Sequence, residues 1–220
     1  ARTCRDSQGR SSYEWLAEVV VPGQHGTVLD LACGSGHLLE LLHARHPQLA
    51  LIGVDMSGEE LELARQRLPD KAVRLIEAEA QSLSALADDS VDAVLCHWAL
   101  TLMDPVEPVL AELRRILTSG GCFAALVDGP ADTAPGYAEV NDLIYGHVQA
   151  DLPEYGSVDL GDPRVRDGAS LSELVKDALP GATVNVESSV VAMEGRPDVV
   201  AEAAAGFFYA AFVLAETSRA

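Results

Sequence analysis

The sequence predicts a doubly wound α/β fold, a mostly parallel sheet with helices on both faces. Three observations predict it. Short apolar runs rich in β-branched residues, among them residues 27–31, 51–55, 72–76 and 91–95, alternate with stretches whose leucines repeat at helical spacing. The first run enters its helix through a turn, residues 32–36, that is almost bare of side chains. The second run closes on an acid, Asp55, nineteen positions after Gly36, where the end of a neighbouring strand in such a sheet faces a bound ribose.

Composition sets the outer bounds. With 220 residues, 48% of them hydrophobic, the chain can bury a full core as a single domain, residues 1–220. A net charge of −19 and a pI near 4.5 argue against polyanionic partners, because phosphate binding depends on clustered Lys and Arg. DNA, tRNA and membrane surfaces are therefore not expected partners. Cys4, Cys33, Cys96 and Cys122 show no paired metal spacing and read as reduced, small core residues of a cytoplasmic protein, with no metal site. The N-terminus is polar, offers no apolar core for a signal peptide, and lacks methionine, as a trimmed product would. The apolar run 199–215 is about seventeen residues long and carries Glu202 and Gly206. It reads as a buried helix or as a subunit contact in a homodimer, rather than as a membrane span.

Taken in order, residues 1–10 mix Gly, Ser and charge without a period and read as loose. From Ser11 to Val20 a serine N-cap precedes Tyr13, Trp15, Leu16, Val19 and Val20 at near-helical spacing. Residues 27–31 are apolar enough for a strand buried on both faces, and the helix that follows ends at Pro47. A strand feeding a helix through Gly34, Ser35 and Gly36 lets backbone N–H groups and a helix N-terminus come close to a ligand. Glycine also serves such turns for geometry alone. Asp55, able to accept from both ribose hydroxyls, turns the reading toward a nucleotide-type site.

A dinucleotide fingerprint requires a third glycine three positions after the second, so that helix and strand pack tightly. That position is Leu39. The turn is preceded instead by an acid, Asp30, four residues before Gly34. This arrangement resembles motif I of the class I S-adenosylmethionine (SAM) dependent methyltransferases. The resemblance continues in order through GVDMSGEELELARQRL, EAEAQSL, DDSVDAVLCHWALTLMDP and LAELRRILTSGGCFAAL, covering roughly residues 28–127. It implies a Rossmann-like fold, SAM as cofactor and S-adenosylhomocysteine (SAH) as product. On this likeness Ala32, Cys33, Gly34, Ser35 and Gly36 lie along the methionine and ribose, Asp30 orients the amino end directly or through water, and Asp55 holds the ribose.

The same likeness assigns the later elements. Met56 would lie against one face of the adenine, although a methionine there also fills gaps in a core. The second helix opens with Ser57 as cap and with Glu59 and Glu60 suited to its positive end. After the third strand, residues 72–76, alignment on Ala80 and Leu83 puts Glu79 where the family's adenine-binding acid stands, with Glu77 as the alternative. The fourth strand, starting at Asp92, ends in Cys96, His97, Trp98 and Leu100, at the carboxyl end where a wound sheet opens to its ligand. There the resemblance brings Cys96 and His97 to the cofactor methionine and makes His97 the candidate base, beside a structural reading of the same histidine. The helix of residues 105–121 ends at Gly120 and Gly121, and a fifth strand, residues 122–128, follows.

Residues 129–170 are the least regular and read as a substrate lid, with Tyr137, Asn141, Tyr145, His147 and Tyr155 as wall residues. The resemblance implies that residues 1–26 form a second, helical lid segment, bringing Tyr13 and Trp15 to the pocket beside Trp98. LSELVKDAL predicts a short helix, ATVNVESSVVAM a sixth strand, and residues 197–215 a last helix. No candidate for the family's seventh strand precedes Ala220; it lies after this stretch or is missing. The function implied is in-line methyl transfer from SAM to an O or N atom of a small molecule, such as a secondary-metabolite intermediate. Two alternatives stay open, a NAD(P)-dependent Rossmann oxidoreductase and a non-catalytic SAM-binding partner protein.

Overall fold

A computed structural model of the chain describes residues 4–21, 26–68, 73–129, 161–193 and 195–199, with isolated positions between 136 and 150. The chain divides into two compact units. One comprises Tyr13–Asp128 and Leu160–Glu187, the other Ala1–Ser12, Gly129–Asp159 and Ser188–Ala220.

The first unit holds a five-stranded sheet: β1 (Thr27–Leu31), β2 (Ala50–Asp55), β3 (Val73–Glu77), β4 (Val91–His97) and β5 (Leu117–Leu126). Their spatial order is β3-β2-β1-β4-β5, and all four pairings are parallel. The order reverses between β1 and β4, and a wound sheet opens a ligand crevice at the carboxyl ends of the strands flanking such a switch. The helices are α1 (Ser12–Ala17), α2 (His37–Arg45), α3 (Gly58–Arg67), α4 (Glu107–Ile116) and α5 (Gly168–Ala178).

Strand alternation sorts the core into two layers. Val28, Leu51, Ala93 and Leu95 face Leu16 of α1, Leu38, Leu39 and Leu42 of α2, and Leu61 and Ala64 of α3. Leu29, Leu31, Ile52, Val54, Val94 and Cys96 face Val109, Leu110, Leu113 and Ile116 of α4 and Leu174 of α5. Covered on both sides, the middles of the central strands, residues 28–31, 51–54 and 93–96, are apolar at every position but two, Asp30 and Gly53, which sit opposite each other in the β1–β2 register.

Local signals place most helix ends as expected. The Ser57 hydroxyl accepts from Glu60 N–H at 3.2 Å and caps α3. At the amino ends of the strands, Asp92 accepts from the Gly26 and Thr27 N–H groups at 2.9 Å and from the Thr118 hydroxyl at 3.0 Å. That joins β1, β4 and β5 at the end away from the crevice.

Three expectations are corrected. The fourth helix stops at Ile116 instead of running to the glycine pair, because Leu117 already pairs with Val91 as extended chain. Residues 118–121 then loop out of register before Cys122 pairs with Ala93, and a Cβ on Gly121 would stand 2.9 Å from the Thr118 carbonyl oxygen. Residues 182–191 form no sixth strand; Val186, Val190 and Val191 are exposed. Alternation specifies a strand only where a covered face rewards it. In the second unit, Ala192–Met193 pairs antiparallel with Cys4–Arg5, and the Asp6 carboxylate accepts from Gln8 and Arg10 N–H. The opening residues from Cys4 are thus more ordered than their composition implies. Of the last helix, residues 197–199 are helical and the remainder lies outside the described residues.

Candidate functional site

The glycine turn hangs from β2. Cys33 N–H donates to the Val54 carbonyl at 2.9 Å, and Gly34 N–H donates to Asp55 Oδ2 at 2.8 Å. Asp55 Oδ1 accepts from Ser57 N–H at 2.9 Å. Asp55 therefore braces the turn against the entry to α3, a role the sequence did not disclose. Each carboxylate oxygen has two acceptor positions, so capacity for the ribose hydroxyls is left. Gly34 (φ 50°) and Gly36 (φ 79°) are left-handed, and Gly36 caps α2 while donating to the Cys33 carbonyl at 3.0 Å. A Cβ on Gly36 would stand 3.1 Å from Ala64 Cβ, so this glycine lets α2 and α3 meet. A Cβ on Gly34 would find nothing nearer than Glu60 Oε2 at 3.7 Å, which leaves its face open to a ligand. Ala32, at φ 58°, carries a side chain in the same left-handed region, at a cost of about 1 kcal/mol.

Asp30 lies on β1 between Gly53 and Leu95, 1% exposed. Burial, and then the Asp55 charge, hold its carboxyl well above the usual carboxylate range. Its Oδ2 is buried without a hydrogen-bond partner among the described residues. A buried acceptor left unpaired costs free energy, and a cationic donor such as an ammonium would satisfy it.

At the end of β4, four rings form a continuous series. Tyr13 stacks on His97 with centroids 3.8 Å apart and planes 13° apart, lies 5.8 Å from His37, and His97 lies 5.0 Å from Trp98. Trp98 is itself left-handed, at φ 55°. It is held there by its N–H to the Leu126 carbonyl and by the Thr101 hydroxyl on its own carbonyl. Burial pushes the His97 pKa down to about 4, so the ring is neutral at pH 7. Burial and the nearby Asp30 charge push the Tyr13 phenol up. Trp15 stands two residues from Tyr13 on α1, and such positions face different ways; it is Tyr13 that stacks on His97. Burial also raises the Cys33 thiol, and raises Cys96 to about 12. Both are thiols that pack, not thiolates.

On the far side of the turn, Met56 is 72% exposed. It rims an open depression of about 600 Å³ with Ser57, Gly58, Glu59, Glu62 and Glu77. Glu77, the alternative acid, lines that depression; Glu79 is exposed outside it, and Ala80 packs against the α4 layer. The loop carrying them is fastened from α4. Glu112 accepts from Leu83 N–H at 2.6 Å, and Arg115 donates to the Leu83 and Leu86 carbonyls. The acceptor-side candidates Tyr137, Asn141 and Tyr145, with His147 and Tyr155, lie outside the described residues.

Two residues of this site escape sequence reasoning. Gly53 makes room for Leu39 and Cys33 under the turn; a glycine inside an apolar strand was the available signal. Arg67, at the end of α3, donates to the Ser35 carbonyl at 2.8 Å, and no local pattern marks it.

Residues 29–125 match the family model described as a methyltransferase domain. The ubiquinone/menaquinone biosynthesis C-methyltransferase UbiE of Desulfotalea psychrophila is 32% identical over 176 residues, 80% of this chain and 65% of that protein. The trans-aconitate 2-methyltransferase of Methylobacterium nodulans is 34% identical over 119 residues, 54% of this chain and 44% of its own length. This chain thus spans about half to two thirds of the relatives it matches. Among solved structures, the methyltransferase in complex with the Haloferax volcanii Trm112 methyltransferase activator matches with a TM-score of 0.56 at 26% identity. That match covers 74% of this chain and 64% of the other. A Bacillus halodurans protein shares the fold at a TM-score of 0.58 and 19% identity, over 77% of this chain and 68% of its own.

Proposed function

We propose that this chain, which belongs to the class I SAM-dependent methyltransferase family, transfers a methyl group from SAM to an O or N atom of a small molecule. The observation that carries it is the unpaired Asp30 Oδ2 beside a glycine turn braced by Asp55. These residues suit SAM: a buried carboxyl with an unpaired oxygen, whose ionised form an ammonium would stabilise, an open glycine face for the chain, and a carboxylate for the ribose. When bound, SAM supplies a sulfonium-activated methyl open to in-line displacement.

The protein's part is to hold and orient. Asp30 takes the amino end, Gly34 to Gly36 lie along the methionine and ribose, and Asp55 accepts from the ribose hydroxyls. Met56 borders the adenine together with Glu77 or Glu79. His97 and Trp98 wall the methyl side, closed above by Tyr13. A histidine whose conjugate acid has a pKa of about 4 is a weak base at neutral pH. The rate therefore rests on positioning, worth effective molarities on the order of 10⁵ M or more, and His97 serves as wall.

A pH prediction follows for His97. Its folded pKa of about 4 lies below the ordinary value of 6.5, so the unfolded chain binds the proton first as pH falls. The stabilisation is complete above pH 6.5 and is lost between 6.5 and 4, at up to about 1.4 kcal/mol per pH unit. His97→Gln is expected to flatten urea-unfolding stability across this window; an unchanged slope overturns the assignment of a buried neutral ring.

No helix among the described residues is long and apolar enough to cross a membrane. One methyltransferase domain spanning residues 1–220, a cytoplasmic setting, a homodimer and a role in secondary metabolism belong to this proposal. The acidic charge supports a neutral or cationic acceptor. A second reading, methylation at carbon, is supported by the likeness to a C-methyltransferase over most of this chain. Calorimetric titration with SAH and NADH, then SAH release with a panel of small acceptors, tests the whole. SAH binding with turnover is expected. NADH binding without SAH binding restores the oxidoreductase, and SAH binding without any turnover favours a non-catalytic partner protein. NMR of the methylated product separates C from O or N transfer.

A further inference from the structure

We propose that Arg67 is a positioning residue for the cofactor turn: its guanidinium holds the Ser35 carbonyl from outside and so keeps the Ser35 N–H presented to the ligand. The proposal rests on the reading that this turn holds SAM, although one of its tests does not.

Arg67 closes α3, and its Nε donates to the Ser35 carbonyl at 2.8 Å. Its Nη1 pairs with Glu40 Oε2 on α2 at 3.2 Å. One planar fork thus spans a carbonyl and a carboxylate on either side of Gly36, a geometry that guanidinium offers and ammonium does not. The ion pair is exposed, at 31% for Arg67 and 52% for Glu40, and pairs of that kind add little stability. Its effect lies in geometry.

A peptide group can be fixed from its carbonyl and from its N–H. The 35–36 peptide is fixed from both: Arg67 binds the Ser35 carbonyl and the Cys33 carbonyl binds Gly36 N–H. The 33–34 peptide is fixed likewise, its carbonyl by Gly36 N–H and its Gly34 N–H by Asp55. Between these two locked peptides, the Ser35 N–H has no hydrogen-bond partner among the described residues. It is the donor the turn holds ready. Remove Arg67, and the 35–36 peptide keeps only one of its two restraints.

Arg67→Gln, Arg67→Lys and Glu40→Gln separate this from a general contribution to the fold. In the ligand-free protein, Arg67→Gln is expected to speed amide hydrogen exchange at Gly36 severalfold while the melting temperature moves by no more than about 2 °C. SAH affinity by calorimetry should fall about tenfold, the worth of a hydrogen bond to a charged group, with KM for SAM rising and kcat held. Glu40→Gln should stay within about threefold of the parent, and Arg67→Lys should fall between. Wild-type exchange and wild-type SAH affinity in Arg67→Gln overturn the proposal. If Arg67→Gln does not fold, Arg67→Lys decides, because it keeps the charge at the helix end; wild-type values for both readouts there overturn it equally. A parent protein that fails to bind SAH would defeat the cofactor reading, while Gly36 exchange would still judge Arg67.

Discussion

Asp55→Ala is expected to weaken SAH binding by roughly 3 kcal/mol or more, about a hundredfold or greater. Loss of the ribose acceptor alone accounts for roughly 1.5 to 3 kcal/mol, the usual range for a hydrogen bond to a charged group. The structure adds a second loss. Asp55 also receives Gly34 N–H at 2.8 Å and Ser57 N–H at 2.9 Å, so the alanine variant leaves the turn only its Cys33–Val54 bond to β2 and frees the first residue of the α3 entry from its brace. Asp55→Asn should be intermediate, since an amide keeps one accepting oxygen and points donors at one of the two backbone N–H groups. Calorimetric titration with SAH, run beside thermal melts of the ligand-free variants, makes the measurement. An unchanged affinity rejects the ribose assignment, and a lowered melt with unchanged affinity leaves Asp55 a brace alone.

Gly53→Ala is expected to destabilise the fold by about 2 kcal/mol or more, in the range of overpacked cores. An added Cβ would stand 2.7 Å from Leu39 Cδ1, 2.8 Å from Leu75 Cδ2 and 2.9 Å from Cys33 Sγ. These three come from α2, β3 and the turn. Leu39 and Cys33 are buried, so those two cannot give way toward solvent. Replacing glycine would otherwise stabilise by reducing the freedom of the unfolded chain, by about 0.4 to 1 kcal/mol, and the clash outweighs that gain. Urea unfolding measures the sum, and a variant as stable as the parent would show that β2 and α2 do not meet as closely as described. Because Cys33 and Leu39 flank the turn, SAH affinity should fall in the same variant.

Much of the frame was readable before any coordinates. The run Thr27–Leu31, the bare turn and the leucines of α2 are local signals, and local signals survive into the fold. So does the Ser57 cap of α3, whose hydroxyl and whose target N–H lie three residues apart. Where the sequence misled, the deciding contact was distant or missing. ATVNVESSVVAM alternates as a strand should, yet its valines are exposed. The glycine pair at 120 and 121 looked like a helix stop, but Val91, far back in the chain, claims Leu117 first. Of the two acids that the sequence left open, Glu77 lines the depression beside Met56, where the β2–β3 register sets it opposite Asp55.

By itself the sequence determined the winding order of strands and helices, the position of the glycine turn between β1 and α2, and the two acids, Asp30 and Asp55, that flank it. Those follow from periodicity, glycine placement and spacing along the chain, which any reader of the residues can count. Only the tertiary structure decided that Asp30 is buried with an unpaired oxygen, that His97 is neutral under the Tyr13 ring, and that Arg67 reaches the Ser35 carbonyl. Each of these depends on which distant atoms exclude water from a group or donate a hydrogen bond to it. Burial and partnership of that kind come into being when the layers close over the sheet, so no run of neighbouring residues carries them.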